Sequence, residues 1–145
     1  MALDFDWIIP GLAQGSYPRP QGAPFDHGFD VIVWCAMEAQ PTRLKPPAGK
    51  SSILFPMDDN PYVPITQNDA RLLHGLADQL AKHVRAGRKV LVTCWEGRNR
   101  SGIVSALTLM RLKRMRPETA INTVRKQRRK PSLTNPMFER YLLLQ

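Results

Sequence analysis

Four residues in one short stretch have the types and the spacing needed for nucleophilic chemistry on an anion. They are Cys94, Gly97, Arg100 and Ser101, within TCWEGRNRSG at 93–102. Glycine lets a loop turn so that successive N–H groups point at one anion, and arginine offers a planar fork that matches two phosphate oxygens. A cysteine at the base of such a positive cradle is stabilised as the nucleophilic thiolate. The spacing therefore predicts a thiolate facing a bound phosphate, with the serine hydroxyl donating a hydrogen bond to the sulfur.

The residues on either side place this stretch at a turn from a strand to a helix. The segment RKVLVTC before it is rich in β-branched residues, which is typical of a buried strand. Apolar residues then recur at helical spacing until about Arg114. A helix N-terminus presents unpaired N–H groups and the positive end of the helix dipole, which favours an anion. The residues expected to surround the phosphate are Trp95, Glu96, Gly97, Arg98, Asn99 and Arg100.

Short apolar strands alternate with helices along the rest of the chain. WIIPGLAQGS suggests an edge hairpin, FDVIVWCAM a buried strand, and SSILFPM a strand that Pro56 places at a sheet edge or ends. Helices are expected from Thr66 or Asn68 to about Gly87, from Pro117, and from Pro136. This order predicts an α/β fold: one domain over residues 1–145, with a central, mostly parallel sheet of four to five strands flanked by helices.

The composition is that of a globular domain with a strong positive charge. The chain has 145 residues and a net charge of +9, which favours anionic partners such as phosphate esters. No stretch is apolar for long enough to span a membrane, and the first residues do not resemble a secretory signal. Two cysteines make no disulfide framework, so the expected location is the cytoplasm. No group of residues suggests a metal site, and no cofactor is expected.

The loop, with its preceding strand and following helix, resembles the signature loop of the cysteine-dependent protein phosphatases, most closely the small dual-specificity phosphatases. IIPGLAQGS and TVRKQRR are also similar to segments of that family. The resemblance implies that Cys94 attacks the phosphate, Arg100 binds it and Ser101 assists release of the sulfur. The family usually has a histidine directly before the nucleophile, where this chain has Thr93.

The resemblance also implies a general acid from the loop FPMDDNP. Counting three residues beyond the proline, as in many relatives, selects Asp59. Alignment on the following Asn-Pro, as in the phosphoinositide-type relatives, selects Asp58. Asp59 is the preferred residue, and Asp58 stays open as the alternative.

Two further expectations concern residues outside the loop. Arg128 lies at the offset at which similar enzymes place a contact to a second phosphate, and Arg125 is close to it. Cys35 ends a strand that should lie beside the strand of Cys94, since parallel strands gather their carboxyl ends at one edge. Some lipid-phosphatase relatives protect the nucleophile by a reversible disulfide from such a position, so Cys35 is either a redox partner or a packed core thiol.

The expected activity is hydrolysis of phosphotyrosine and phosphoserine/threonine in proteins through a phosphocysteine intermediate. One alternative is a polyanion phosphatase acting on RNA 5′-triphosphates or phosphoinositides, since Asn99 is similar to the RNA-triphosphatase branch. Another is a non-catalytic phosphate-binding protein that uses the basic surface of residues 111–130, where Glu118 is the one acidic residue. The physiological substrate and the oligomeric state are left open.

Overall fold

The computed structural model describes residues 3–145, and these contain one five-stranded sheet. The strands are β1 (Phe5–Ile9), β2 (Leu12–Gly15), β3 (Val31–Ala36), β4 (Ser51–Met57) and β5 (Val90–Thr93). Their order across the sheet is β1-β2-β5-β3-β4. β1 pairs antiparallel with β2, and every other pairing is parallel. The expected mostly parallel sheet, with its edge hairpin, is confirmed.

Within residues 3–145, five helices cover the sheet. They are α1 (Ala23–Asp26), α2 (Gln67–Arg85), α3 (Arg100–Lys113), α4 (Pro117–Gln127) and α5 (Pro136–Leu143), with a 3-10 turn at Met37–Ala39. Thr66 is the N-cap of α2: its hydroxyl accepts a hydrogen bond from the Asp69 N–H, and the Asp69 carboxylate accepts one from the Thr66 N–H. The sequence did not predict α1, because four residues are too few to show helical spacing.

The main core lies between the sheet and the helices α2, α3, α4 and α5. β3 is buried along its whole length between β4 and β5, which explains its unbroken apolar sequence. The first ten residues of α3, from Arg100 to Leu109, are also all buried. The helix that follows the proposed nucleophile is thus the central helix of the domain, which makes its N-terminus a rigid support.

The carboxyl ends of β2, β5 and β3 meet at one edge of the sheet. Gly15 is in register with Thr93, and Thr93 with Trp34 on its other side. The next residues along the three strands therefore converge: Ser16 and Tyr17, Cys94 and Trp95, and Cys35. Among the helices of the described residues, none is long and apolar enough to cross a membrane.

Candidate active site

The loop from Trp95 to Asn99 presents a row of free backbone donors. In the described part of the chain, none of the five N–H groups donates to a protein acceptor. Gly97, at the centre, has φ +70°, and a Cβ there would lie 2.6 Å from the carbonyl oxygen of Gly15. Only glycine fits both the left-handed backbone and this close approach. The loop thus has the free N–H groups and the conformation of an anion-binding nest.

Arg100 lies at the first position of α3, and Glu38 holds its guanidinium end-on. Nη1 donates to Glu38 Oε1 at 2.6 Å and to the Met57 carbonyl at 3.1 Å, and Nη2 donates to Glu38 Oε2 at 2.9 Å. The hydrogen bond from Arg100 lowers the pKa of Glu38 to about 2, although burial opposes the shift. The pair is therefore charged at every pH at which the protein is assayed.

The second edge of the same guanidinium is free. The Nε of Arg100 is buried and has no hydrogen-bond partner among the described residues. A buried donor without a partner is costly, so it points to a ligand that supplies the missing acceptor. A phosphate oxygen on this edge would complete the set.

Cys94 follows β5 directly and lies at the base of the loop. Its side chain is buried, and its N–H donates to the Gly15 carbonyl at 3.3 Å. The Oγ of Ser101, in the first turn of α3, is 3.2 Å from Cys94 Sγ. The structure thus brings together Cys94, Arg100 and Ser101 as the spacing predicted.

Of the two candidate acids, Asp59 is the one linked to the loop. Its Oδ2 accepts a hydrogen bond from Asn99 Nδ2 at 3.1 Å, and its Oδ1 accepts one from Asn135 Nδ2 at 2.7 Å. Asp58 is exposed and lines an apolar groove of about 490 Å³ formed with β4 and the start of α2. Of the two candidate acids, Asp59 is therefore the one that is hydrogen-bonded to a residue of the anion nest.

Comparison with known proteins agrees with this geometry. Residues 15–144 match the family described as dual specificity phosphatase, catalytic domain. This chain belongs to the dual-specificity phosphatases. It is accordingly a cysteine-dependent phosphatase, and the predicted family and fold are confirmed.

Several solved structures of phosphatases share the fold. Human DUSP28 is 23% identical, with a TM-score of 0.75, and the alignment covers 98% of this chain and 92% of that one. DUSP15 is 18% identical with a TM-score of 0.77, covering 99% and 87%. The tyrosine phosphatase OH1 of the Orf virus is 22% identical with a TM-score of 0.69, covering 99% and 87%. No match was found among curated proteins.

The structure contradicts the prediction that Arg128 contacts a second phosphate in this dual-specificity phosphatase. Its side chain is 0% exposed and forms ion pairs with Asp4 and Asp6. The guanidinium also donates to the carbonyls of Gly97 and Glu96, at 2.9 Å and 3.0 Å. Every N–H of the guanidinium is used in these contacts. Arg128 therefore supports the loop from beneath and has no donor left for a ligand.

Arg125 is also corrected to a structural role. It donates to the carbonyls of Ser132 and Leu133 and pairs with the Glu139 carboxylate, so it fixes the segment before α5. In the basic stretch of residues 111–130, five of the nine basic residues pair with carboxylates of the same chain: Arg111, Arg125, Arg128, Arg129 and Lys130.

Thr93 and Cys35 lie beneath the loop of the phosphatase. The Thr93 hydroxyl donates to the Val33 carbonyl at 2.7 Å. This hydrogen bond joins β5 to β3 and does not involve the loop. Cys35 is fully buried, and both cysteines are free thiols. Burial raises the pKa of Cys35 well above its ordinary value, and the nearby Cys94 adds to the rise.

Sequence reasoning missed Glu38, Asn135 as a partner of Asp59, and the pair Asp4 and Asp6. Glu38 follows a strand that ends beside β5, so the expected strand order carried a signal for it. Asn135 precedes the helix expected from Pro136 and is its N-cap, since its Oδ1 accepts from the N–H of Met137 at 2.9 Å. Asp4 and Asp6 contact residues more than 120 positions away, and no local pattern marks them. Within residues 3–145 no cluster of side chains could hold a metal ion.

Proposed function

We propose that this phosphatase hydrolyses phosphomonoesters through a phosphocysteine intermediate and acts on phosphotyrosine and phosphoserine/threonine in proteins. The observation that carries the proposal is Cys94 beneath five free N–H groups, with the Nε edge of Arg100 unpaired. These donors suit the three non-bridging oxygens of a phosphoryl group in flight, and such preorganised donors are the largest source of rate in many enzymes.

In the first step the Cys94 thiolate attacks phosphorus. The S–P bond forms as the bond from phosphorus to the ester oxygen breaks, and the electron pair leaves on that oxygen. Asp59 delivers its proton to the departing oxygen, so an alcohol or phenol is released. The free N–H groups and Arg100 hold the phosphoryl oxygens throughout, in line with the nucleophile.

In the second step water attacks the phosphocysteine. Asp59, now a carboxylate, takes a proton from the water while the S–P bond breaks and inorganic phosphate forms. The sulfur leaves as a thiolate, which a hydrogen bond from Ser101 Oγ stabilises. The 3.2 Å separation between Sγ and Oγ supports this role.

Asp59 is preferred to Asp58 as the general acid because of its hydrogen bonds. The hydrogen bonds from Asn99 and Asn135 hold the Asp59 carboxyl group beside the loop, whereas Asp58 is exposed. A general acid must lie within hydrogen-bond reach of the leaving oxygen, and proximity to the nest favours the held residue.

The test is hydrolysis of two esters with different leaving groups, without metal, from pH 5 to pH 8. The esters are p-nitrophenyl phosphate, whose phenol leaves readily, and a phosphothreonine peptide, whose alcohol does not. We expect Cys94→Ser to abolish both activities. We expect Asp59→Asn to lower kcat by about 100-fold or more on the peptide and by less on p-nitrophenyl phosphate, because only a poor leaving group needs the proton.

Asp58→Asn is the matched control, since it makes the same chemical change one residue away. Equal losses in Asp58→Asn and Asp59→Asn would contradict the choice of acid. Turnover that survives Cys94→Ser would contradict the mechanism. Faster release of γ-phosphate from triphosphate-ended RNA than of phosphate from peptides would favour the polyanion reading. A folded wild type that binds phosphopeptide without turnover would favour the alternative of a non-catalytic phosphate-binding protein.

We also propose that Cys35 can form a disulfide with an oxidised Cys94. The proposed location is the reducing cytoplasm, where both thiols ordinarily stay free. Hydrogen peroxide would oxidise Cys94 to the sulfenic acid. The Cys35 thiol would then displace water from that sulfur and form a disulfide. Support comes from the register that places β3 beside β5 and from the nearby Cys94, which adds to the rise in the pKa of the buried Cys35 thiol. Mass spectrometry after mild peroxide should find a linked Cys35–Cys94 peptide, and none in Cys35→Ser.

A further inference from the structure

A stack of aromatic rings runs from the core of the domain to the residue next to the nucleophile. Trp34 is buried in β3, and its indole N–H donates to Ser52 Oγ at 2.9 Å. The Tyr17 ring packs on Trp34 with centroids 5.3 Å apart and on Trp95 with centroids 5.5 Å apart. A backbone hydrogen bond joins the same two residues, since the Tyr17 N–H donates to the Trp95 carbonyl at 3.1 Å.

The outer end of this stack is exposed and carries a cation. Trp95 is 43% exposed although its neighbour Cys94 is buried, and the Arg19 guanidinium lies over the indole at 5.1 Å from its centroid. A large aromatic side chain that its neighbours already hold in place, and that is still partly exposed, loses little conformational freedom when a ligand binds. The side chains of Trp95 and Arg19 have no role in the two chemical steps, to which Trp95 contributes only its backbone N–H.

We propose that Trp95, held by Tyr17 and Arg19, contacts the aromatic ring of the leaving group and makes phosphotyrosine the preferred substrate over phosphoserine and phosphothreonine. This inference rests on the proposed function and names the ester that the same site prefers. Its physical basis is offset or edge-on packing between the indole and the phenyl ring of the substrate, which adds to the burial of both.

The number of bonds between the reacting phosphorus and an aromatic ring favours an aryl ester over RNA 5′-triphosphates and phosphoinositides as the ligand. The Cα of Trp95 is about 3.8 Å from that of Cys94, because the two residues are consecutive. An aryl ester such as phosphotyrosine carries its ring directly on the ester oxygen, next to the phosphorus that meets Cys94, and so brings an aromatic ring close to the residue that follows the nucleophile. In a triphosphate-ended RNA the first base is separated from the terminal phosphate by two phosphates and a ribose. A phosphoinositide has no aromatic ring.

The test is binding to the Cys94→Ser protein, so it does not depend on turnover. Two peptides that differ only in carrying phosphotyrosine or phosphothreonine are titrated by calorimetry. We expect the phosphotyrosine peptide to bind about 10-fold more tightly. Adding Trp95→Ala should remove most of that ratio by weakening the phosphotyrosine peptide alone, and Trp95→Phe, which keeps a ring, should retain part of it.

Trp7→Ala is the matched control. Trp7 is 41% exposed, lies on β1 and packs on Phe5 and Phe29, so the change removes an equally exposed indole elsewhere. It should leave the ratio unchanged. Thermal unfolding of each variant verifies that it is folded, and binding of the phosphothreonine peptide reports an intact loop.

The proposal is overturned if the two peptides bind equally, or if Trp95→Ala leaves their ratio as it was. It is also overturned if a triphosphate-ended RNA binds more tightly than the phosphotyrosine peptide and loses that advantage in Trp95→Ala. A wild type without turnover would refute the proposed function while the peptide ratio still decided this inference. Turnover without a Trp95-dependent ratio would do the reverse.

Discussion

Glu38 is a single carboxylate that holds the guanidinium of Arg100, the proposed phosphate-binding residue. It occupies the end-on edge of Arg100 and leaves the Nε edge without a partner among the described residues. We expect Glu38→Gln to lower kcat/KM for p-nitrophenyl phosphate by about 10- to 100-fold, because a misplaced donor loses transition-state stabilisation. The matched control is Glu139→Gln, which breaks the pair with Arg125 and should leave kcat/KM unchanged.

The pH dependence of this effect follows from the pKa of Glu38, which Arg100 lowers to about 2. A carboxylate whose folded pKa is depressed keeps its ion pair above its unfolded pKa, about 4.3, and loses it only as the pH falls toward the folded value. The ratio between wild type and Glu38→Gln should therefore be constant from pH 5 to pH 8. A ratio that shrinks across this range would show that another group controls Arg100.

Substitutions at Gly97 and Gly87 distinguish the effect of backbone strain from the effect of a steric clash. Both have positive φ, +70° and +81°, but a Cβ on Gly87 meets nothing within 4 Å, whereas one on Gly97 meets Gly15 and Arg128. We expect Gly87→Ala to cost about 1–2 kcal/mol of the free energy of unfolding and to leave kcat unchanged. Gly97→Ala should cost more and abolish activity, since the loop must move. Urea unfolding and p-nitrophenyl phosphate hydrolysis measure the two effects.

At the scale of elements, the side-chain amide of Asn135 joins the N-terminus of α5 to Asp59, the proposed general acid. The Oδ1 of Asn135 caps the helix while its Nδ2 donates to Asp59, and Asn99 connects both to the loop. We expect Asn135→Ser to keep the cap, with less than about 1 kcal/mol of lost stability. It should lower kcat on a phosphothreonine peptide by about 10-fold, because the Asp59 carboxyl keeps only the hydrogen bond from Asn99 and is less firmly placed.

Asn135→Asp supplies the contrast for this contact. It keeps the capping oxygen but places a second carboxylate beside Asp59, which favours the protonated form of the pair. The alkaline limb of the pH–rate profile should therefore move to higher pH, which a purely structural change would not cause. An unchanged profile, together with unchanged kcat in Asn135→Ser, would contradict a positioning role for Asn135.

At the scale of the whole molecule, an ionic cluster joins the beginning of the chain to its last third. Arg128 is paired with Asp4 and Asp6, while Arg129 and Lys130 pair with the same two carboxylates. Burial alone raises the pKa of Asp6, but hydrogen bonds from the Arg129 N–H and from the side chains of Arg128 and Arg129 outweigh it and lower the pKa. Arg128 also donates to the carbonyls of Gly97 and Glu96, so the ionic cluster supports the loop of the candidate active site.

Removing one carboxylate leaves Arg128 partly unpaired in the interior. We expect Asp6→Asn to reduce the free energy of unfolding at pH 7 by about 2–4 kcal/mol. Because the folded pKa of Asp6 is depressed, this difference is full above about pH 5 and shrinks as the pH falls below about 4, where the unfolded carboxyl is protonated. Asp78→Asn, which breaks a solvent-exposed pair with Arg111, should cost less than about 1 kcal/mol. A difference that grows toward low pH would contradict the assignment.

The fold and the centre of the site were predictable from local sequence, for a physical reason. β-branched runs specify strands, apolar spacing specifies helices, and the chemistry of Cys94, Gly97, Arg100 and Ser101 is compressed into eight residues. Within such a short loop the backbone itself sets which side chains meet. The preference for Asp59 over Asp58 needed the resemblance, because the acid lies on a different loop.

The sequence by itself determined the α/β order and predicted the loop that holds the proposed nucleophile and the proposed phosphate-binding residues. Only the tertiary structure decided what supports them: Glu38 on Arg100, Asn135 and Asn99 on Asp59, Asp4 and Asp6 on Arg128, and Tyr17 and Arg19 on Trp95. These contacts join residues far apart in the chain, and a charge in the sequence does not reveal whether it will face solvent or a carboxylate. Arg128 shows the consequence, since its position suggested a ligand contact and its burial makes it part of the base of the site.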